Sequence, residues 1–160
     1  DNAPLMLNSF AKSYIINKAA QAATASANVS AVVVNIGGDL VVRGSITEPV
    51  KVSDPHADAE NDAPLTGLTI HNKAVATSGN YRRGVQIGDH WYSHIVDPRT
   101  GQPAEQIISA TVVAPNASDA GALATAFNVL SPKESLKLIA SVPNAEALII
   151  TKEGKHIESK

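Results

Sequence analysis

The sequence predicts an α+β fold: a mostly antiparallel sheet packed by about three helices. Three observations carry this. Apolar, β-branched runs recur at Ala31–Ile36, Ile107–Ala114 and Ala145–Thr151, separated by turn residues. Gly37-Gly38 sits between two such runs, as a hairpin turn does. Helix signals occur three times, once near the start and twice in the last third. The 160 residues, 44% of them hydrophobic, suit one compact domain over 1–160 that buries about 70% of its unfolded surface.

In chain order, a helix is expected from Ser9 to about Ala25, with Ala11, Ile15, Ala19 and Ala22 as its apolar face. Its alanine content favours the helical state. Ala31–Ile36 reads as a buried strand and Leu40–Val42 as its hairpin partner, with Val50–Val52 a further short strand. His56 to Pro64 holds three acids and reads as an exposed loop with His56 solvated. Leu65–Ile70 resumes the sheet, Lys73–Thr77 extends it, and the chain turns at Ser78-Gly79-Asn80. Trp91–Val96 is the next strand, ended by the Asp97-Pro98 and Thr100-Gly101 turn. After Ile107–Ala114, Ser118 or Asp119 is expected to cap a helix to about Leu130. Ser131-Pro132-Lys133-Glu134 carries a capping serine, proline at the first helical position and glutamate at the third. Ala145–Thr151 is read as the last core strand, followed by a turn at Glu153-Gly154-Lys155 and a short tail.

Charge and composition exclude several functions. A net charge of −2, with no basic run longer than Arg82-Arg83, leaves little for counterion-release binding of nucleic acid. The absence of cysteine rules out disulfides, thiolate nucleophiles and cysteine-type zinc sites within the chain. No apolar stretch of about 18 residues suggests a membrane span, so the chain reads as soluble.

Several residues could carry chemistry. Alternation puts Trp91, Ser93 and Ile95 on one strand face and Tyr92, His94 and Val96 on the other, so His94 stands beside the Pro/Gly turn. A half-buried histidine bonded to a carbonyl is the plain alternative for it, and Trp91 and Tyr92 read as core. Gly37-Gly38 would let the backbone approach a phosphate or flavin, or simply make the turn. Asp39 could accept a hydrogen bond from a ligand or form an Asx turn. Thr77-Ser78-Gly79 offers two hydroxyls for the polar edge of a flavin or a pyrophosphate, or a polar turn.

Four blocks in order resemble the ApbE-type flavin transferases (FAD:protein FMN transferases). They are Ala11-Lys12 to Ala20, Asn35-Ile36-Gly37-Gly38-Asp39, Ala76–Tyr81 joined to Ser93–Gly101, and Ser109–Ala114 followed by Ala120–Ala126. The resemblance implies a T-fold-like sheet, and it implies that FAD is the substrate, cleaved so that FMN passes to a Ser or Thr of an acceptor flavoprotein. It implies Lys12, Gly37, Gly38, Asp39, Thr77, Ser78 and Gly79 in flavin binding, with His94 near the pyrophosphate as a base or charge balance. It further implies magnesium, held by the main chain at Ala11 and by Thr125, together with export to the periplasm.

The family pattern has an Asp four residues before the threonine, and that position is Gly121 here. Asp119 is six residues from Thr125, about 240° around an ideal helix, and is expected to cap instead. Asn8-Ser9 and Ser13 stand where the family has glycines, and Asn17 where it has an acid. The family also has a large N-terminal part that helps enclose FAD. Three readings stay open: a flavin transferase or a portion of one, a non-catalytic flavin-binding or scaffold domain, and a hydrolase using His94 with Asp97 or Asp39.

Overall fold

The computed structural model describes residues 8–57 and 62–159, so part of the expected His56–Pro64 loop and the side chains of Asn8 and Ser9 lie outside the described residues. Helix α1 (Asn8–Thr24) leads into β1 (Ala31–Ile36) and β2 (Asp39–Gly44). Gly37 and Gly38 join the strands with φ of +57° and +89°, the left-handed pair that a tight hairpin turn requires. Strands β3 (Glu48–Val52) and β4 (Thr66–Ile70) follow, then β5 (Ala74–Gly79), β6 (Gly84–Ile87), β7 (His90–Ser93) and β8 (Ile107–Ala114). The chain continues with α2 (Ala117–Val129), α3 (Pro132–Ile139), β9 (Glu146–Thr151) and β10 (His156–Glu158).

The main sheet has six strands in the order β1-β2-β5-β8-β9-β10, and every pair is antiparallel. Alternation along its strands makes two faces. One face presents Val41, Ala74, Ala76, Ala110, Val112 and Ile149 to Ile16 and Ala20 of α1, Leu123 and Phe127 of α2, and Ile139 of α3. The other presents Leu40, Val42 and Val75 to Ile70 and to the partly buried Val50 and Leu68. The molecule is thus layered as helices, sheet and a β3–β4 ribbon, which confirms the α+β expectation.

Several expected details change. Leu65–Ile70 does not resume the main sheet; it pairs with β3 in a separate ribbon, because a half-apolar strand can cover a sheet face as readily as extend its edge. The strand at Lys73–Thr77 runs on through Gly79, so the bend begins at Asn80 rather than at Ser78. The expected Trp91–Val96 strand is β7, hairpinned with the unexpected β6 and ending at Ser93, with Val96 in an isolated bridge to Pro103. A second unexpected strand, β10, makes a sheet edge of the supposed tail.

Helix α1 turns a different face inward from the one its apolar spacing suggested. Ser13, Ile16 and Ala20 are buried, whereas Ile15 is 55% exposed. Ser13 fills a core position because its hydroxyl has a partner there, which a hydrophobicity pattern does not register. Neither Ser118 nor Asp119 is the N-cap of α2. Asn116 is, accepting from the Asp119 N–H at 2.9 Å and donating to the Asp119 carboxylate at 2.6 Å, so Asp119 serves the cap from inside the first turn. At α3 the predicted capping box is complete: Ser131 accepts from Glu134 N, and the Glu134 carboxylate accepts from the Ser131 backbone. The Ser131 hydroxyl also donates to the Glu134 carboxylate at 2.6 Å, and this bond holds that carboxyl below its usual range.

Candidate functional site

The first two sequence blocks meet where α1 crosses the β1–β2 hairpin. Asp39 begins β2 on the helix-facing side, two residues before Val41, and is only 4% exposed. A carboxylate so buried needs partners. Lys12 Nζ lies 3.0 Å from Asp39 Oδ1, and Ser13 Oγ donates to Asp39 Oδ2 at 3.0 Å. Lys12 also donates to the Gly37 carbonyl at 3.5 Å, and its ammonium remains partly exposed. Asp39 therefore forms no Asx turn. The side chain that serves the hairpin is Asn35, whose Oδ1 accepts from Gly38 N. Beside Gly37 and Gly38 there is open space, with nothing within 4 Å of where a Cβ would stand.

Helix α2 closes this cluster from above. A Cβ on the buried Gly121 would fall on Ser13 Oγ, 3.0 Å from Ser13 Cβ and 4.0 Å from Asp39 Oδ2. One turn on, Thr125 Oγ1 donates to the Gly121 carbonyl at 3.0 Å. Ala11 is half-buried next to Lys12. The residues expected to hold magnesium therefore do not fit it: the carboxylate position is a glycine whose side-chain space a serine hydroxyl fills, so the threonine hydroxyl, which donates to its own helix and keeps its lone pairs, has no carboxylate from position 121 beside it. Asn17, where the family has an acid, accepts from Arg43 Nη2 at 3.5 Å, and burial pushes the Arg43 guanidinium pKa down.

Alternation splits the third block. Ala76 faces α2, so Thr77 points to the other side of the sheet, where its hydroxyl pairs with Thr111 Oγ1 at 2.9 Å. The Ser78 carbonyl accepts from Asn128 of α2. Gly79 gives way to Tyr81, whose ring would lie 2.6 Å from an added Cβ, with the Ile108 carbonyl at 2.9 Å. Thr77, Ser78 and Gly79 are therefore neighbours in sequence that do not present one surface.

His94 stands just past β7, exposed rather than half-buried, and its Nδ1 is 2.9 Å from the Arg83 carbonyl. A carbonyl only accepts, so Nδ1 carries the proton and, in the neutral ring, Nε2 is left with a lone pair. Neither Asp97 nor Asp39 orients this imidazole. Asp97 accepts from Arg99 N, Nε and Nη2 at 2.7–3.1 Å, and these bonds hold its carboxyl below the usual range. Arg99 Nη2 also donates to Val129 O at the end of α2, so the Asp97–Gly101 turn docks on that helix. The hydrolase pairing of His94 with an aspartate is thereby removed.

Some contributors were not legible beforehand. Asn80 is buried and donates to the Ala104 and Ile107 carbonyls at 2.9 Å, while its own carbonyl accepts from Trp91 Nε1. It borders a cavity of about 180 Å³ lined also by His90, Trp91, Glu105 and Lys152. Hydrogen bonds from Lys152 and His90 hold the Glu105 carboxyl low. Trp91 and Tyr92, expected in the core, are 40% and 38% exposed because β6–β7 stands off the main sheet as a ribbon of two strands. A buried asparagine gives no periodic signal, and the His90–Glu105–Lys152 chain joins residues far apart in sequence. Among the described residues no group of three or more His, Cys, Asp or Glu gathers at one point, and no helix is long and apolar enough to cross a membrane.

Comparison with known proteins gives one family over most of the chain. A family model described as the ApbE family matches residues 1–149. The FAD:protein FMN transferase of Treponema pallidum is 33% identical over 91% of this chain and 43% of its own length. That of Escherichia coli K12 is 34% identical over 79% of this chain and 36% of its own length. The crystal structure of the ApbE protein of Thermotoga maritima superposes with a TM-score of 0.85 at 32% identity, covering 98% of this chain and 51% of that one. The apo flavinyl transferase ApbE of Pseudomonas stutzeri gives 0.76 at 26% identity, with 98% and 49% covered. The chain spans about half, or less, of the length of these relatives.

Proposed function

Because the chain belongs to the ApbE family, we propose that it works as one ApbE-like domain of an FAD:protein FMN transferase. The observation that carries this is the meeting of two separated sequence blocks at a single open place. Lys12 of α1 holds both Asp39 and the Gly37 carbonyl, beside a glycine turn with free space around it. Such a turn admits a phosphate close to the backbone. Lys12 has three donors and spends two here, so one N–H is left to meet an anionic ligand.

In the transfer, an acceptor-protein hydroxyl oxygen bonds to the FMN-side phosphorus as the bond from that phosphorus to the adenylate oxygen breaks. AMP leaves, and the hydroxyl proton goes to a base. His94 suits that role: its Nδ1–H is fixed on the Arg83 carbonyl, which orients the ring and leaves Nε2 open to accept. His94→Ala should lower FMN transfer by about 10²–10⁴-fold while FAD affinity stays unchanged. Equal transfer by the variant, followed as flavin covalently attached to the acceptor, would remove His94 from the mechanism.

A second reading is favoured by one contact. Ser13 occupies the place of a Gly121 side chain, which supports a flavin-binding domain without transferase chemistry. Magnesium dependence fits the first reading only if other residues hold the ion. Export to the periplasm belongs to the same proposal and rests on family likeness.

A further inference from the structure

We infer that Ser13 and Gly121 close the position at the α1–α2 crossing where a divalent cation would sit, so that this chain handles flavin without a bound divalent metal there. The inference rests on the family reading for the place of the cation, and metal binding measured without flavin tests it separately.

Volume and charge both close the crossing. A magnesium-type cation takes oxygen ligands, carboxylates above all. Position 121 offers no side-chain oxygen, since Gly121 has no side chain. Ser13 Oγ fills the space that a side chain at position 121 would enter. Its single proton is donated to Asp39, so the hydroxyl is pinned in that space. Asp39 is the carboxylate near enough to substitute, 4.0 Å from the position of a Gly121 Cβ, but Lys12 Nζ neutralises it at 3.0 Å and Ser13 takes its other oxygen. A dication entering here would meet a carboxylate whose charge an ammonium on Oδ1 already balances and whose Oδ2 carries the Ser13 hydroxyl proton. Against the family pattern of glycine at 13 and aspartate at 121, the two positions have exchanged bulk. The serine takes the volume, and among the described residues Lys12 supplies the positive charge in contact with Asp39.

The test is calorimetric titration of Mn²⁺ into the full chain without flavin, with Thr125→Val as a control for the site. Wild type is expected to show no saturable binding tighter than about 1 mM. The double variant Ser13→Gly with Gly121→Asp reopens the volume and returns the carboxylate, and it should tighten binding roughly tenfold or more. Gly121→Asp alone should gain far less, because Ser13 Oγ still stands in the way. Saturable wild-type binding that Thr125→Val weakens would overturn the inference, as would a folded double variant with no gain. Should the double variant not fold, the melting temperature of wild type decides: no shift between zero and about 10 mM MgCl₂ upholds closure, and a rise that Thr125→Val abolishes overturns it.

Discussion

Gly121→Ala is the perturbation whose effect follows most directly from the structure. The added Cβ would land on Ser13 Oγ and within 3.0 Å of Ser13 Cβ, both deep in the α1–α2 contact. Overpacking of this kind costs about 1–3 kcal/mol. Replacing a mid-helix glycine with alanine returns roughly 1 kcal/mol. The net effect in wild type is therefore a loss of about 0–2 kcal/mol. In a Ser13→Gly background the obstacle is gone, and the same change should stabilise by about 1 kcal/mol. The helix-propensity term is common to both backgrounds and cancels in the cycle, so the coupling between the two sites should equal the overpacking term, about 1–3 kcal/mol. Urea unfolding of wild type, the two single variants and the double variant measures it. Additivity within about 0.5 kcal/mol would refute the contact on which the closed crossing depends.

Two further outcomes follow from the same geometry. Asn80→Ala should destabilise by about 1–3 kcal/mol in chemical denaturation, because it strips the donor from the Ala104 and Ile107 carbonyls; a change within experimental error would mean that water replaces the side chain. The Asp97 carboxyl titrates below its ordinary value of 3.8 in the folded chain because of its bonds to Arg99. A carboxyl depressed by folding contributes stability above its unfolded pKa, and that contribution is lost as the pH falls through 3.8 toward the folded value. Arg99→Gln should flatten that acid limb of the melting temperature, and parallel wild-type and variant curves would contradict the assignment.

Much of the fold was legible because local chemistry and tertiary structure agree. The Ser131–Glu134 box starts α3 as predicted, and Gly37-Gly38 makes the tight hairpin its residue types require. Less visible were choices of partner rather than of conformation. Alternation in Thr66–Ile70 shows that one side is buried, but not whether the strand joins the six-stranded sheet or packs over it as the β3–β4 ribbon. Strand β6 is four exposed residues with no buried face to announce it. In α1 the alanines read as apolar wherever they lie, whereas the side chain that fixes the helix rotation is a serine bonded to an aspartate 26 residues on.

The candidate site divides in the same way. Lys12, Gly37 and Asp39, which the family likeness implies in flavin binding, are in contact where α1 crosses the β1–β2 hairpin. Thr77 parts from Thr125 because the strand's period of two turns it to the opposite face. Gly121 was visible as a missing carboxylate. That Ser13 had taken its volume required the helices to be placed.

The most direct test of flavin handling without a divalent cation at the α1–α2 crossing is a titration of FAD with the chain, followed by flavin fluorescence, with and without magnesium. Saturable binding with the same dissociation constant in both conditions is the predicted result. Binding that requires magnesium in wild type and loses that requirement in Thr125→Val, or no binding in either condition, would contradict it.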